Sequence, residues 1–211
     1  MEAIADRRNR QKRGRKELIL RAARGVFLSK GYSGATMDEI AYASGLSVGA
    51  VYLYFHNKPV LYLSLLESAM AKQEQAIRRA ALRGKDATEK ILKMAEAYAD
   101  YFLREPEYFQ ALIFLQHGDL RIPESEGLVQ NLARRGRELL RLVARLIKGG
   151  IDRGEFREVE PDNTALFLWG AWNGVIGLTL RRDPLRLDRK HLKGLLRSGT
   201  ELIQQGLAAQ R

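Results

Sequence analysis

The sequence contains no cysteine, which excludes disulfide bonds, thiolate catalysis and cysteine-ligated zinc. Only three histidines occur, and His56, His117 and His191 lie far apart in different predicted elements, so we expect no metal site. No run approaches the ~18 uninterrupted apolar residues of a membrane-spanning helix. The basic N-terminus also lacks the apolar segment of a secretory signal. We therefore expect a cytoplasmic protein that uses no metal and no cofactor and does not enter a membrane.

Sequence motifs of the common enzyme classes are missing as well. The chain has no nucleophile elbow, no phosphate-binding loop, no dinucleotide-binding fingerprint and no histidine pair at metal-binding spacing. Glu105 and Glu107 flank a predicted helix start, where the helix dipole favours acidic residues. His117 and Asp119 are two positions apart and would point in different directions on a helix. We therefore expect no catalytic residues and no enzyme activity.

Positive charge is abundant and unevenly placed. The 211 residues include 36 Lys and Arg against 25 Asp and Glu, a net charge of +11. Residues 1–58 hold 11 of these cations and 5 of the acids, so about half of the excess lies on little more than a quarter of the chain. The basic arm that carries most of it consists of Arg7, Arg8, Arg10, Lys12, Arg13, Arg15 and Lys16. Such an arm suits contacts to DNA phosphates or a minor groove, and a solvated tail is the alternative.

Helical periodicity runs along the whole chain, and no strand-like alternation appears. Helix 1 is predicted from about Lys16 to Lys30, and a fourth helix begins at residues 57–59, after two short ones. The pattern then predicts helices over about 86–104, 106–118, 123–153, 162–181 and 188–207. We therefore predict an all-α protein of nine or ten helices. Its first domain covers residues 1–58 and its second domain covers residues 59–211.

The most informative segment is residues 36–58, TMDEIAYASGLSVGAVYLYFHNK. Thr36 and Glu39 have the spacing of a capping box at the start of one short helix. Gly45 ends that helix, because glycine tolerates a left-handed turn. Ser47 is placed to cap a second helix, predicted from Val48 to about Phe55. This order is typical of a helix-turn-helix, in which the second helix presents its N-terminal residues to base edges.

The same segment resembles the N-terminal domain of the tetracycline-repressor (TetR) family of bacterial transcription regulators. The matching features stay in register over about forty residues. They are Ala22, Ala23, Phe27, Gly31–Tyr32, residues 36–41, Gly45, Ser47, Val51–Tyr52, Tyr54–Phe55 and Asn57–Lys58. Residues 150–156 also resemble the turn before the penultimate helix pair of that family. The resemblance implies a homodimer on a palindromic double-stranded DNA operator, released by a small and often apolar effector.

We expect nine residues of the recognition segment to contact DNA. Ser47, Val48, Gly49 and Ala50 lie at the start of the second helix, where small apolar groups suit contact with thymine methyls. The resemblance implies phosphate contacts by Thr36, Tyr52, Tyr54 and Lys58. Three alternatives stay open from the sequence: Tyr52 as a packing residue, Lys58 as a mere flank of a helix cap, and His56 as plain surface.

The predicted helix over residues 162–180 carries Gly170, Gly174 and Gly177 close to one face. Each glycine costs about 1 kcal/mol in a helix, so we expect a packing reason, either a second subunit or close packing within the monomer. The resemblance implies dimerisation through this helix and the one over about 127–148. The apolar stripe predicted on the latter helix consists of Leu139, Leu142, Val143 and Leu146.

The helices of the second domain are rich in aromatic residues, some of which carry a polar group. This pattern is typical of a ligand pocket as well as of an ordinary core. Our candidates for an effector pocket are Tyr98, Phe102, Phe109, Phe114, His117, Trp169 and Asn173. For each of them taken alone, a plain core position is the competing interpretation.

We predict a dimeric, TetR-like, sequence-specific transcription regulator, and specifically a repressor that a small molecule releases from DNA. Two alternatives stay open: a ligand-independent architectural DNA-binding protein and a transcriptional activator. A helical adaptor that binds only proteins would leave both the recognition segment and the charge placement unexplained.

Overall fold

The computed structural model describes residues 2–105, 108–109, 126–181 and 183–208, and these residues form eight α-helices. The helices are α1 Glu2–Gly34, α2 Met37–Ser44, α3 Val48–Tyr52, α4 Lys58–Ala81, α5 Ala87–Arg104, α6 Glu126–Asp152, α7 Pro161–Leu180 and α8 Leu192–Leu207. A short 3-10 helix, Arg189–His191, precedes α8. The all-α prediction is confirmed, with eight helices described where nine or ten were expected. The helix predicted over residues 106–118 falls almost entirely outside the described residues.

The described residues form two compact units. The N-terminal unit holds residues 2–69 and 126–132, and the C-terminal unit holds residues 70–105, 108–109, 133–181 and 183–208. The limits of these units fall inside α4 and α6. The predicted domain limit between residues 58 and 59 stays a prediction. No helix in the described ranges is long and apolar enough to cross a membrane.

The first helix begins at Glu2, well before the predicted start at Lys16, so the basic arm is helical. Residues 2–16 have no proline, and ten of them are Arg, Lys, Ala or Gln, which favour a helix. Arg10 pairs with Asp6 one turn away at 3.0 Å. Apolar periodicity could not reveal this extension, because residues 6–18 are exposed. The regular helix ends at Gly31, whose φ of 70° lies in the left-handed region.

The core of the N-terminal unit is built from one face of each of its helices. Ile19, Ala23, Ile40, Val51 and Leu61 are completely or almost completely buried. An aromatic group closes the end of this core. The ring of Phe27 lies 5.0 Å from that of Tyr62, which in turn lies 4.9 Å from the ring of Tyr32. These contacts fix α1 against the start of α4.

The C-terminal unit is held together by contacts between residues that are distant in sequence. Glu155 accepts a hydrogen bond from the backbone N–H of Ala87 at 2.8 Å, which ties the turn before α7 to the start of α5. A side chain at Gly150 would collide with the ring of Phe156, so this close approach requires glycine. On α7, the indole N–H of Trp172 donates to the hydroxyl of Thr200 on α8 at 3.0 Å.

An ion-pair cluster joins α4 to α6 within the C-terminal unit. The buried carboxylate of Glu74 accepts from Arg78 Nε at 2.8 Å and from Arg135 Nη1 at 2.9 Å. Burial alone would raise the pKa of Glu74, but the hydrogen bonds and charges of Arg78 and Arg135 together lower it below its ordinary value of 4.5. Glu74 is therefore ionised at neutral pH, with both partners in place.

Candidate functional site

The turn of the helix-turn-helix forms as the sequence predicts. The hydroxyl of Thr36 accepts from the N–H of Glu39 at 3.2 Å, and the carboxylate of Glu39 accepts from the N–H of Thr36 at 3.1 Å. Gly45 ends α2 with a φ of 67°, and Ser47 Oγ accepts from the N–H of Ala50 at 3.2 Å. The capping box, the left-handed turn and the second cap are confirmed, and together they fix where α3 begins.

The recognition helix α3 is shorter than predicted, since it ends at Tyr52 and not near Phe55. The N–H groups of Tyr54 and Phe55 both donate to the carbonyl of Val51 at 3.0 Å, which closes the helix with a tight turn. This turn brings Phe55 into the core, with 1% of its surface exposed. It also places Asn57 to cap α4 by accepting from the N–H of Val60 at 2.8 Å. The early stop follows from packing Phe55, which helical propensity does not show.

The N-terminal turn of α3 is presented to solvent while its opposite side is buried. Ser47 and Gly49 are exposed, Val48 is 37% exposed, and Ala50 is half-buried. Val51 is fully buried and anchors the helix. A five-residue helix therefore offers small, largely apolar groups at one end, the surface that can lie against base edges in a major groove. The base contacts themselves stay a prediction.

The polar residues predicted to contact phosphates differ in how accessible they are. Thr36 and His56 are exposed, Tyr52 is 43% exposed, and Tyr54 is half-buried. Tyr52 is therefore not a core residue, and its ring and hydroxyl lie at the surface beside the recognition turn. The roles of these four residues on DNA stay predictions.

Lys58 already has partners within the protein. Its ammonium donates to the carbonyl oxygens of Tyr32 and Ala35, both at 2.9 Å, and lies 3.4 Å from that of Ser33. It also lies 4.7 Å above the centre of the Tyr32 ring. From the sequence, Lys58 was expected either to contact a phosphate or only to flank a helix cap. Neither interpretation predicted its contacts with carbonyls more than twenty residues earlier in the chain.

The residues predicted to line an effector pocket come together, as far as they are described. The ring of Tyr98 lies 5.4 Å from that of Phe109 and 5.1 Å from that of Trp169, and Phe102 lies 4.9 Å from Phe109. Asn173 joins them by accepting a hydrogen bond from the hydroxyl of Tyr98 at 2.7 Å. We call these five residues the aromatic cluster. The other two candidates, Phe114 and His117, lie outside the described residues.

Polar groups inside the aromatic cluster are few and neutral. Burial raises the pKa of Tyr98 far above its ordinary value of 10.0, so its hydroxyl stays protonated and donates to Asn173. The amide N–H of Asn173 donates in turn to the carbonyl of Trp169 at 2.8 Å. The cluster therefore offers an apolar wall with a single satisfied polar pair.

Tyr108 is a member of this neighbourhood that was not predicted from the sequence. Its ring lies 5.3 Å from that of Phe109 and 5.7 Å from that of Tyr101. The residue is 3% exposed, yet its hydroxyl has no hydrogen-bond partner in the described parts of the chain. Burial, together with the neighbouring tyrosines, raises its pKa, so this hydroxyl is a neutral donor. The only sequence signal was its position directly before Phe109.

The helix α7 exposes an apolar face opposite the one it buries. Leu166 is 58% exposed and Phe167 is 65% exposed. On the same helix, a methyl group added to Gly170, Gly174 or Gly177 would meet no atom of the described protomer within 4 Å. Close packing within the monomer therefore does not account for these glycines in the described structure.

On α6, the predicted apolar stripe divides into two parts. Leu139 and Val143 are each only 1% exposed within a single protomer, so they belong to its core and not to a subunit interface. Leu142 and Leu146 remain half-buried. The sequence pattern could not separate the two pairs, because neighbouring positions of an amphipathic helix face both the core and its rim.

Across the described residues, no group of His, Asp and Glu side chains is arranged to hold a metal ion. The functional features of the described residues are therefore a helix-turn-helix whose recognition helix has an exposed N-terminal turn, a basic helical arm, and a second helical unit that contains the aromatic cluster.

Comparison with known proteins assigns the family of both parts. Residues 19–65 match the bacterial regulatory proteins of the tetR family, and residues 91–197, half of the chain, match the tetracyclin repressor-like C-terminal domain. The transcriptional repressor NicS of Pseudomonas putida is 28% identical over 141 residues, which are 66% of this chain and 65% of NicS. The transcriptional activator FasR of Mycolicibacterium smegmatis is 33% identical over 100 residues, which are 47% of this chain and 45% of FasR.

The structure of the fatty acid degradation regulator FadR from Bacillus halodurans is similar over nearly its full length. It superposes with a TM-score of 0.70 and 25% identity, covering 90% of this chain and 98% of FadR. Together with the two family matches and the geometry of residues 36–58, this similarity leaves one assignment. The chain belongs to the TetR family and is a DNA-binding transcription regulator.

Proposed function

We propose that this protein is a homodimeric repressor that binds a palindromic operator and leaves it when a small, largely apolar effector binds. The observation that carries the DNA-binding half of the proposal is the exposed first turn of α3, fixed by the Ser47 cap and by buried Val51. Its short, apolar side chains suit thymine methyl groups and make no bidentate contact to guanine. DNA shape and the basic arm then supply the remaining preference.

Dimerisation is supported by the apolar face of α7. Leu166 and Phe167 are large exposed apolar side chains on a helix with three glycines that leave room for another helix. A closed pair of identical subunits would cover this face and present two recognition helices related by a two-fold axis. The operator of such a dimer has two half-sites about one helical turn apart, or a multiple of that distance.

The aromatic cluster and Tyr108 support the effector half of the proposal. Rings from α5 and α7 form an apolar wall, and beside it lies the Tyr108 hydroxyl, a donor with no partner among the described residues. An apolar molecule with a single hydrogen-bond acceptor matches this chemistry, because burial disfavours a charged group. The similarity to a regulator of fatty acid degradation makes fatty acyl compounds the first candidates.

The proposed mechanism is a linkage between two binding equilibria. The effector binds more tightly to a dimer state in which the two recognition helices are wrongly spaced for the operator. Its binding therefore lowers the affinity for the operator, to an extent set by the difference in effector affinity between the two states. Helix α4 belongs to both compact units and is the element through which we expect the two sites to communicate. No cofactor or metal takes part in this mechanism, and binding to the chromosome implies action in the cytoplasm.

Transcription in vitro from a promoter that contains the selected operator tests the proposal. A repressor lowers transcript yield as protein is added, and a matching uncharged fatty acyl ester restores it. The Tyr108→Phe variant should repress normally but require a higher effector concentration. Increased transcript on adding protein would replace repression with activation. Repression that no acyl compound and no cell-extract fraction relieves would contradict the effector half.

A further inference from the structure

Lys58 stands at the junction between the DNA-reading helices and α4. It is the first residue of α4, and its backbone is fixed by the Asn57 cap on one side and by Pro59 on the other. Its side chain reaches back to the segment that follows Gly31, where it meets carbonyl oxygens beyond the regular part of α1.

All three N–H groups of the Lys58 ammonium have acceptors within the protein. Two carbonyl oxygens lie at 2.9 Å and a third lies at 3.4 Å, which matches the three donors of an ammonium group. The Tyr32 ring covers the same charge at 4.7 Å. A DNA phosphate could reach this ammonium only by displacing one of these partners.

The same end of α1 is held by a second residue of α4. Tyr62 lies one turn after Lys58, and its ring packs against both Tyr32 at 4.9 Å and Phe27 at 5.0 Å. Two successive turns of α4 therefore hold the end of α1, the first through the hydrogen bonds of Lys58 and the second through the aromatic contacts of Tyr62. α1 is packed in turn against α2, the first helix of the helix-turn-helix.

We propose that Lys58 is a positioning residue and not a phosphate contact: it fixes the start of α4 to the end of α1 and thereby sets the orientation of the helix-turn-helix relative to α4. In a dimer, this orientation determines the distance between the two recognition helices. The function of Lys58 is then to make binding sensitive to half-site spacing. This inference rests on the proposed dimeric function.

Two properties of operator binding separate the two roles of Lys58. A residue that neutralises a phosphate contributes to the salt dependence, and removing it lowers the slope of log affinity against log salt concentration by about 0.9 on duplex DNA. A residue that sets orientation contributes instead to the discrimination between the selected operator and a copy with one base pair added between its half-sites. A change in the folded fraction of protein alters both affinities by the same factor and leaves that ratio unchanged.

The test uses the full-length dimer, the operator recovered by selection and its one-base-pair insertion variant. Lys58→Met keeps the apolar stem and removes every donor. We expect operator affinity to fall about tenfold, as for the removal of a charge-assisted hydrogen bond. We also expect an unchanged salt slope and a several-fold smaller spacing discrimination. Lys12→Met, on the exposed basic arm, is the matched control, for which the slope falls and the discrimination stays.

Two further variants keep the proposal testable if Lys58→Met folds poorly. Lys58→Arg keeps the charge, but a wide planar guanidinium does not fit where three carbonyl oxygens surround one nitrogen, so it should behave like Lys58→Met. Tyr32→Leu removes the ring and leaves every charge in place, and it should reduce spacing discrimination at an unchanged slope.

A salt slope reduced by about one in Lys58→Met, with full recovery in Lys58→Arg and intact spacing discrimination, would overturn the inference. So would an unchanged discrimination in both Lys58→Arg and Tyr32→Leu. Failure of the wild-type protein to select a palindrome is a separate result, because it rejects the dimeric function before Lys58 is tested.

Discussion

The recognition segment and the C-terminal unit differ in how far apart in sequence their determining contacts lie. In the recognition segment, the caps join residues only three positions apart: Thr36 to Glu39, Ser47 to Ala50 and Asn57 to Val60. In the C-terminal unit, the Tyr98–Asn173 bond spans 75 positions. The bond from Gln204 to the carbonyl of Thr88 spans 116. The first region is specified by local sequence and the second by assembly of the whole fold.

The two regions also differ in where their functional side chains lie. The recognition segment exposes most of the groups proposed to bind DNA, and its core is made by other residues such as Val51 and Phe55. The C-terminal unit buries Tyr98, Phe102 and Phe109, so the residues proposed to bind an effector also hold the unit together. Substitutions should therefore separate function from stability in the first region and couple them in the second.

The largest expected effect follows truncation of the aromatic cluster. Phe102→Ala removes a fully buried ring and should lower the free energy of unfolding by about 3–5 kcal/mol. Denaturant titration followed by circular dichroism measures this decrease. Leu53→Ala, at a large side chain that is mostly exposed in the N-terminal unit, is the matched control with little expected change. Equal decreases in the two variants would remove the distinction between the regions.

Disruption of the exposed α7 face should give the next largest effect, on assembly and not on folding. Phe167→Asp places a charge on the proposed subunit interface, while the buried face of α7 keeps its packing. We expect a monomer in analytical ultracentrifugation and operator affinity reduced at least about 100-fold, since two linked half-site contacts become one. Thr88→Asp, at an exposed polar site of α5 away from this face, is the control substitution. A stable Phe167→Asp dimer would place the interface elsewhere.

A substitution in the first turn of α3 should change the preferred DNA sequence without changing the free energy of unfolding. Val48→Gln introduces an amide able to pair with adenine, worth about 1–3 kcal/mol of discrimination at one base. Because Val48 is partly exposed and outside the core, the unfolding free energy should stay within about 0.5 kcal/mol of wild type. Selection from random DNA and denaturant titration provide the two measurements. An unchanged preferred site would show that Val48 does not face the bases.

The smallest expected effect concerns two carboxylates, one in each region. Glu74→Gln in the C-terminal unit should cost about 1 kcal/mol at pH 7, because it weakens hydrogen bonds from Arg78 and Arg135. Since the folded pKa of Glu74 is lowered, its stabilisation is present above the ordinary value of 4.5 and is lost as pH falls through the folded value. The difference between variant and wild type should therefore disappear in acid.

Glu39→Gln is the counterpart in the recognition segment. Its partner Lys30 and its own carboxylate are exposed to water, and exposed pairs contribute little. We expect a smaller change in the unfolding free energy than for Glu74→Gln, measured by the same titrations from pH 3 to pH 7. A larger decrease in Glu39→Gln would mean that the capping box and not the buried cluster dominates the pH dependence.

The sequence predicted well those features that local chemistry decides. The capping box, the Gly45 turn and the Ser47 and Asn57 caps are formed as expected, because each depends on residues within one turn. The same local reasoning overextended α3 to Phe55. The helix stops earlier because a tight turn after Tyr52 brings Phe55 into the core, and helical propensity does not show where that turn falls.

Features decided by long-range packing were predicted only in part. Aromatic composition placed Tyr98, Phe102, Phe109, Trp169 and Asn173 in one group, and the structure brings them together. It could not show that the Tyr108 hydroxyl lacks a partner in the described residues. Nor could it show that Lys58 donates to carbonyls at and just after the end of α1, those of Tyr32, Ser33 and Ala35. It also could not divide the α6 stripe into the buried pair Leu139 and Val143 and the more exposed pair Leu142 and Leu146.

Selection of binding sites from random duplex DNA, carried out at two salt concentrations, decides whether the protein reads a specific sequence as a dimer. We expect an enriched palindrome whose half-sites lie about one helical turn, or a multiple of it, apart. We also expect that site to persist at higher salt with lower affinity. Strongly salt-dependent binding with no enriched sequence would contradict a dimeric sequence-specific regulator and identify an architectural DNA-binding protein instead.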